Sequence, residues 1–167
     1  LKICNKNKIN FTYLPEGYQP REALGFSIYA LFSILYKYGI ISRTSFMKLK
    51  NSSKQLSKSQ AEIIKKAKEL SVKIYNKVPI IYSSNLFVGL VTRFKQQLNE
   101  NSKNLCWFNI IPEMNHNEIV GWDLSNKDIN SNFISLFIKS HLDIKKNHKR
   151  IDFTLDYLKQ KKISSEL

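Results

Sequence analysis

A helical stretch in the middle of the chain carries a carboxylate in a setting suited to proton transfer. Its apolar residues recur at helical spacing and form one broad stripe. At about 100° per residue, Arg93, Gln97 and Glu100 lie within roughly 60° of one another at the edge of that stripe. A carboxylate held beside an apolar face and near an arginine can accept a proton. Periodicity alone favours the alternative, a solvated helix edge with a weak surface ion pair.

A second segment, Pro112–Glu118, is dense in polar side chains although apolar runs flank it on both sides. It sets His116 between two asparagines and near two glutamates, and histidine exchanges protons near neutral pH. The alternative is a loop whose histidine is satisfied locally. His116 and Glu118 are two residues apart, whereas one helix aims two metal ligands at a spacing of four, so we predict no metal site.

A third candidate is Arg21, which ends the turn Gly17-Tyr18-Gln19-Pro20 ahead of a largely apolar helix. Its guanidinium is suited to an anion or to a developing oxyanion. A structural hydrogen bond at a helix start is the competing interpretation.

Hydrophobic periodicity predicts the elements that must position these residues. Ile9, Phe11 and Tyr13 alternate as in a strand. Residues 42–58 are polar and are typical of a connector with room for a short helix, and Ser59 with Glu62 forms a capping box. We predict helices over 22–38, from 59 onward, over 86–101 and over 146–162, and strands over 78–82, 106–111 and 133–140.

The order of these elements predicts an α/β fold, a three-layer doubly wound parallel sheet of the flavodoxin-like type. Ligands of such sheets bind beyond the carboxyl ends of the strands. The helix with Glu100 and the segment with His116 each follow the carboxyl end of a predicted strand. We therefore expect the chemistry at that edge.

The strong positive charge has a compositional explanation. Among 167 residues, 27 are Lys or Arg and 13 are Asp or Glu, for a net charge of +14. However, 23 lysines, 20 isoleucines and 16 asparagines all have AT-rich codons, and the lysines are scattered along outer helix faces. No nucleic-acid-binding motif is present, so we expect no nucleic-acid partner.

Two cysteines are too few for a disulfide framework, which favours a reducing cytoplasm. The longest apolar stretch, 23–41, is interrupted by polar residues, and we expect no membrane association.

Four segments together resemble the bifunctional phosphoglucose/phosphomannose isomerase family, whose members contain two sugar-isomerase (SIS) domains. They are Gly17–Phe26, Val78–Ser83, Arg93–Lys103 and Pro112–Trp122, in the order of the family. The resemblance implies an aldose–ketose isomerase that acts on phosphorylated hexoses without a cofactor. It implies that Glu100 is the base that moves a proton between C1 and C2 through a cis-enediol. His116 would assist ring opening from the partner subunit of a homodimer, and Arg21 would stabilise the enediolate.

The candidate substrate contacts are Ser83, Arg93, Gln97 and Asn115. We expect residues 1–19 to be the tail of a preceding SIS domain with its linker, and residues 20–167 to be a second SIS domain that is incomplete at its C-terminus. The phosphate-binding loop of the family belongs to the first domain. The alternative function is a regulatory SIS module that binds a sugar phosphate without catalysis, and such a module would need neither Glu100 nor His116.

Overall fold

Helices and strands alternate from residue 78 onward, and the regular elements described before it are all helices. The computed structural model describes residues 1–124 and 127–167, which form two units, Leu1–Lys66 and Ala67–Leu167. The described helices are α1 Lys2–Lys6, α2 Leu24–Lys37, α3 Arg43–Lys58, α4 Gln60–Ile74, α5 Val88–Asn101, α6 Glu118–Leu124, α7 Lys127–Asn130 and α8 Lys145–Gln160, with 3-10 helices at Asn85–Phe87 and Glu113–Asn115. The described strands are β1 Val78–Ser84, β2 Trp107–Ile111, β3 Phe133–Ile138 and β4 Ser165–Glu166.

The strand predicted near the start of the chain is wrong. Helix α1 occupies part of that region, and Ile9, Phe11 and Tyr13 are exposed in irregular backbone. An alternating run becomes a strand only where a neighbouring strand takes up its backbone hydrogen bonds. The four strands in the described part of the chain all belong to the second unit, and they pair with one another.

The helix predicted over 22–38 is confirmed as α2. The segment 42–58 holds not a connector with a short helix but α3, a helix of 16 residues that fills it. The Ser42 hydroxyl caps α3 by accepting the Ser45 N–H at 3.1 Å. The Phe46 ring stacks on Tyr36 of α2 with centroids 5.4 Å apart. The capping box correctly predicts the start of α4. The Glu62 side chain, which in a capping box bonds back to the first residue, here forms an ion pair with Lys66 at 2.9 Å.

The second unit contains a parallel sheet in the order β2-β1-β3-β4. This order confirms the predicted α/β class and is that of a doubly wound flavodoxin-like sheet. The three predicted strands form within two residues of their expected bounds, and β4 was not predicted. In the register, Tyr82 of β1 lies opposite Asn109 of β2 and Phe137 of β3.

Helices cover both faces of this sheet, because neighbouring residues of a strand point to opposite sides. Ile81 lies on the face that α5 covers, in a buried cluster that includes Val91. Tyr82 lies on the other face, in a cluster with Trp122 of α6 and residues of α8. The sheet is thus the middle of three layers. None of the described helices is long and apolar enough to cross a membrane.

Candidate functional site

The carboxyl edge of the sheet has a switch point between its two central strands. β1 continues through α5 to β2, whereas β3 continues through α8 to β4 on the other side. The two helices therefore leave this edge toward opposite faces, an arrangement that leaves a crevice where doubly wound proteins bind ligands. An open groove at the end of β3 is lined in part by Lys139, Ser140, His141 and His148.

Ser83 and Ser84 end β1 at this edge, and both are buried. The Ser83 hydroxyl donates to the Ser84 carbonyl at 3.1 Å. Burial by itself raises the pKa of the nearby Asp143 carboxyl. Hydrogen bonds from the Asn147 side chain and from the Ile144 N–H, together with the nearby Ser84 hydroxyl, nevertheless bring that pKa below its ordinary value. An ionised carboxylate therefore lies beside the end of β1.

His116 lies beyond the carboxyl end of β2, at the end of the 3-10 helix. The backbone N–H of His116 donates to the Glu113 carbonyl at 2.9 Å, while the side chain is exposed. The ring makes no hydrogen bond to any residue that the structure describes. The two preceding residues point inward: Met114 is fully buried, and the Asn115 side-chain amide donates to Thr154 Oγ1 of α8 at 2.7 Å.

A partly buried polar network begins at Glu118, two residues after His116. Tyr82 donates its phenolic hydrogen to Glu118 Oε2 at 2.9 Å, and Trp122 Nε1 donates to the Tyr82 oxygen at 2.8 Å. Asn109 donates its side-chain amide to the other carboxylate oxygen of Glu118. Burial and the adjacent Glu118 carboxylate raise the pKa of Tyr82 well above its ordinary value, so the phenol stays protonated and remains a donor.

Glu100 lies at a different edge of the sheet from the one that the sequence suggested. Helix α5 begins beyond the carboxyl end of β1, but Glu100 is its penultimate residue, about 18 Å along the axis. Shortly afterwards the Asn104 side chain donates to the carbonyl of Lys77, the residue before β1, at 3.2 Å. The end of α5 has therefore returned to the amino edge. The expectation that Glu100 lies at the carboxyl edge is wrong, because it counted the start of the helix and not its length.

The remaining predicted residues are distributed over both units. Arg93 and Gln97 are half-buried, two turns and one turn before Glu100 on α5, and Gln97 Oε1 accepts a hydrogen bond from the Asn101 amide. Arg21 is half-buried in the turn before α2 and belongs to the first unit. The second unit thus places Ser83, Asn115 and His116 toward the carboxyl edge and Glu100 at the amino edge.

Sequence reasoning missed the network of Tyr82, Asn109, Glu118 and Trp122. One signal was available, since Asn109 interrupts an otherwise apolar strand, and an amide in a strand that packs against its neighbours needs a hydrogen-bond partner. Among the described residues, no three His, Cys, Asp or Glu side chains lie close enough together to hold a metal ion.

A parallel sheet in this order, covered by helices on both faces, defines the class as a three-layer doubly wound α/β domain. Residues 63–166 match the bacterial phospho-glucose isomerase C-terminal SIS domain. The chain belongs to this family, which confirms the resemblance found from its motifs.

Curated relatives agree with this assignment. The chain is 33% identical over 141 residues to a bifunctional phosphoglucose/phosphomannose isomerase of Aquifex aeolicus, a match that covers 84% of the chain and 41% of the relative. It is 34% identical over 165 residues to the protein of that name from Caldicellulosiruptor bescii, covering 95% and 48%. A D-glucosamine-6-phosphate 4-epimerase of Sulfolobus acidocaldarius is 32% identical over 127 residues, covering 76% and 39%. The chain thus spans less than half the length of these relatives. No solved structure matches it significantly.

Proposed function

We propose that this chain supplies the second sugar-isomerase domain of an enzyme that interconverts fructose 6-phosphate with glucose 6-phosphate and mannose 6-phosphate. The observation that carries the proposal is the match to two relatives named phosphoglucose/phosphomannose isomerase over 84% and 95% of the chain. We assign residues 20–167 to this domain and residues 1–19 to a preceding tail and linker. The sheet itself lies entirely within the second unit.

Glu100 is the proposed base. Its carboxylate takes the proton from C2 of the open-chain aldose, the C1–C2 double bond forms, and the electrons move to the carbonyl oxygen. After a proton moves between the two oxygens of the cis-enediol, the carboxylic acid returns its proton to C1 and the ketose results. An exposed side chain at a helix end can reach a substrate in this way. Arg21 is proposed to offset the negative charge of the enediolate.

His116 is the proposed acid–base group for ring opening. It delivers a proton to the ring oxygen as the C1–O5 bond breaks, and the hydroxyl on C1 gives its proton to solvent water, so that the aldehyde forms. The ring of His116 is exposed and engages no described side chain, which leaves both nitrogens available for this exchange.

The positions of Glu100 and His116 favour a site formed by two copies of the chain. Glu100 lies at the amino edge of the sheet and His116 beyond its carboxyl edge, and β1 alone spans about 20 Å. C1, C2 and the ring oxygen of a hexose lie within a few ångströms of one another. We therefore propose a homodimer in which His116 of one copy joins Glu100 of the other.

The proposed substrate contacts fall into two groups. Arg93 and Gln97 lie on the same helix as Glu100 and are half-buried beside it. Ser83 and Asn115 lie toward the carboxyl edge, where each side chain also holds an internal hydrogen bond, to the Ser84 carbonyl and to Thr154. We expect no cofactor and no nucleic acid in this reaction, and a cytoplasmic location.

The test is a coupled assay of fructose 6-phosphate conversion by the complete gene product that carries this chain. Glu100→Gln should lower kcat by about 10²–10⁴-fold with little change in substrate affinity, because a general base contributes that much. Glu69→Gln is the matched control, since Glu69 is another exposed glutamate on a helix of the second unit.

Sugar-phosphate binding without turnover by the unaltered protein would favour the regulatory module instead. Near-normal turnover of Glu100→Gln would remove Glu100 from its role.

A further inference from the structure

His116 is exposed, but the chain on both sides of it is fastened to the body of the second unit. On the N-terminal side, Met114 fills the core and Asn115 bonds to Thr154 of α8. Directly after it, Asn117 bonds to Glu113 Oε1 at 2.8 Å, across the histidine. A short loop held at so many points presents its one outward ring in a restricted set of orientations.

The attachment with several hydrogen bonds is the network around Glu118, the first residue of α6. Tyr82 and Asn109 are register partners on adjacent parallel strands, and each donates to a different oxygen of the same carboxylate. Because its two oxygens are bound by donors on two adjacent strands, the Glu118 carboxylate is fixed both in orientation and in position along the sheet. The Trp122 N–H, one turn further along α6, bonds to the same phenol and fixes the helix a second time.

This arrangement is hard to explain by stability alone. Helix α6 has seven residues, too few to persist without tertiary support. An apolar side chain at position 118 could pack against the sheet as well as a half-buried carboxylate does, and at a smaller desolvation cost. Unlike an apolar side chain, a carboxylate that accepts from two donors has a defined orientation. It therefore fixes where α6 starts and hence where the preceding loop ends.

We propose that Tyr82, Asn109 and Glu118 are positioning residues that set the orientation of His116 for proton transfer. The proposal rests on the proposed isomerase function. Tyr82 and Asn109 do not touch the substrate. They hold Glu118 in place, and Glu118 in turn fixes the backbone of His116, two residues earlier.

Tyr82→Phe is the main test, because it removes one oxygen and keeps the ring in the core. The complete gene product should lose about tenfold or more in kcat, with KM within twofold of the parent. In a His116→Asn background the same substitution should have little further effect on kcat, because a residue that acts only through His116 has nothing left to position. The matched control is Ser135→Ala, which removes another buried hydroxyl of this sheet, one that bonds to the Ser164 carbonyl at 3.2 Å. It should leave kcat unchanged.

Amide hydrogen exchange provides a measurement that needs no catalysis. Tyr82→Phe should speed exchange of the Asn115 and His116 amides, which bond to Pro112 and Glu113, by about tenfold, while the amides of β3 keep their protection. Glu118→Gln serves as a second variant if Tyr82→Phe does not fold, and the same local loss of protection is expected.

The outcomes separate the two proposals. If the unaltered protein turns over no hexose phosphate, the proposed function fails while the exchange experiment still tests the network. Equal loss of kcat in the parent and in the His116→Asn background would overturn the positioning role. Loop amides as well protected in both variants as in the parent would overturn it too.

Discussion

The bond between Asn115 and Thr154 offers a direct measure of how firmly the His116 loop is held. Thr154 is fully buried on α8, accepts from the Asn115 amide at 2.7 Å and donates to the Arg150 carbonyl at 2.8 Å. Thr154→Val replaces the hydroxyl by a methyl group of similar size and so leaves the packing nearly unchanged. The Arg150 carbonyl keeps its backbone bond within the helix. The loss of stability therefore comes from the Asn115 side chain, whose amide no longer has an acceptor.

The magnitude follows from the state in which Asn115 is left. Its Oδ1 is already buried and accepts no hydrogen bond from the part of the chain that the structure describes. Removing the partner of Nδ2 leaves the whole side-chain amide unsatisfied. An orphaned buried polar group costs about 1–3 kcal/mol, so we expect a loss of about 2 kcal/mol in the free energy of unfolding, close to a thirtyfold change in the equilibrium constant.

Urea unfolding followed by tryptophan fluorescence is the suitable assay, because Trp107 and Trp122 both lie in the second unit. The midpoint should fall while the m-value stays constant. Thr154→Ser is the control, since it keeps the hydroxyl and loses only a methyl group, at about 1 kcal/mol. In a double-mutant cycle, Asn115→Ala should remove most of the effect of Thr154→Val. An unchanged or higher stability of Thr154→Val would refute the reasoning.

Three further predictions concern separate features of the second unit. Met114→Ala should lower the free energy of unfolding by about 2–5 kcal/mol in the same urea assay, because Met114 is fully buried below the loop. Burial raises the pKa of Cys106 to about 11, so its thiol should resist alkylation at pH 8 in the folded protein and react once urea is added, as followed by mass spectrometry. The pKa of Asp143 is lowered by its hydrogen bonds despite its burial, so its contribution to stability is present above the unfolded pKa and is lost as the pH falls through the folded one. The stability difference between the parent and Asp143→Asn should therefore shrink below about pH 4; equal differences at pH 7 and pH 3 would contradict this account.

Local patterns were sufficient to predict most of the second unit. Val78–Tyr82 is an apolar run bounded by polar residues, and β1 is buried on both faces as expected. The apolar stripe of residues 86–101 became α5 because one face of that helix packs on the sheet. In both cases the apolar residues that form the pattern are the same residues that become buried and stabilise the element. The sequence of one short segment was therefore enough to predict it.

The features that could not be predicted depend on pairs of residues far apart in the chain. Tyr82 and Glu118 are 36 residues apart, and Asn115 and Thr154 are 39 apart. No periodicity connects such positions, since register and helix length decide whether they meet. The same reason explains the misplacement of Glu100, whose edge of the sheet depends on how far α5 runs.

The central claim is that Glu100 of one copy and His116 of another form one isomerase site, and subunit complementation tests it most directly. Glu100→Gln and His116→Asn should each be nearly inactive in the complete gene product. Unfolded together in equal amounts and refolded, they should recover about a quarter of the parent activity. Half of the dimers are then mixed, and each mixed dimer has one intact site of two. Activity no higher than that of the separately refolded variants would contradict the shared site.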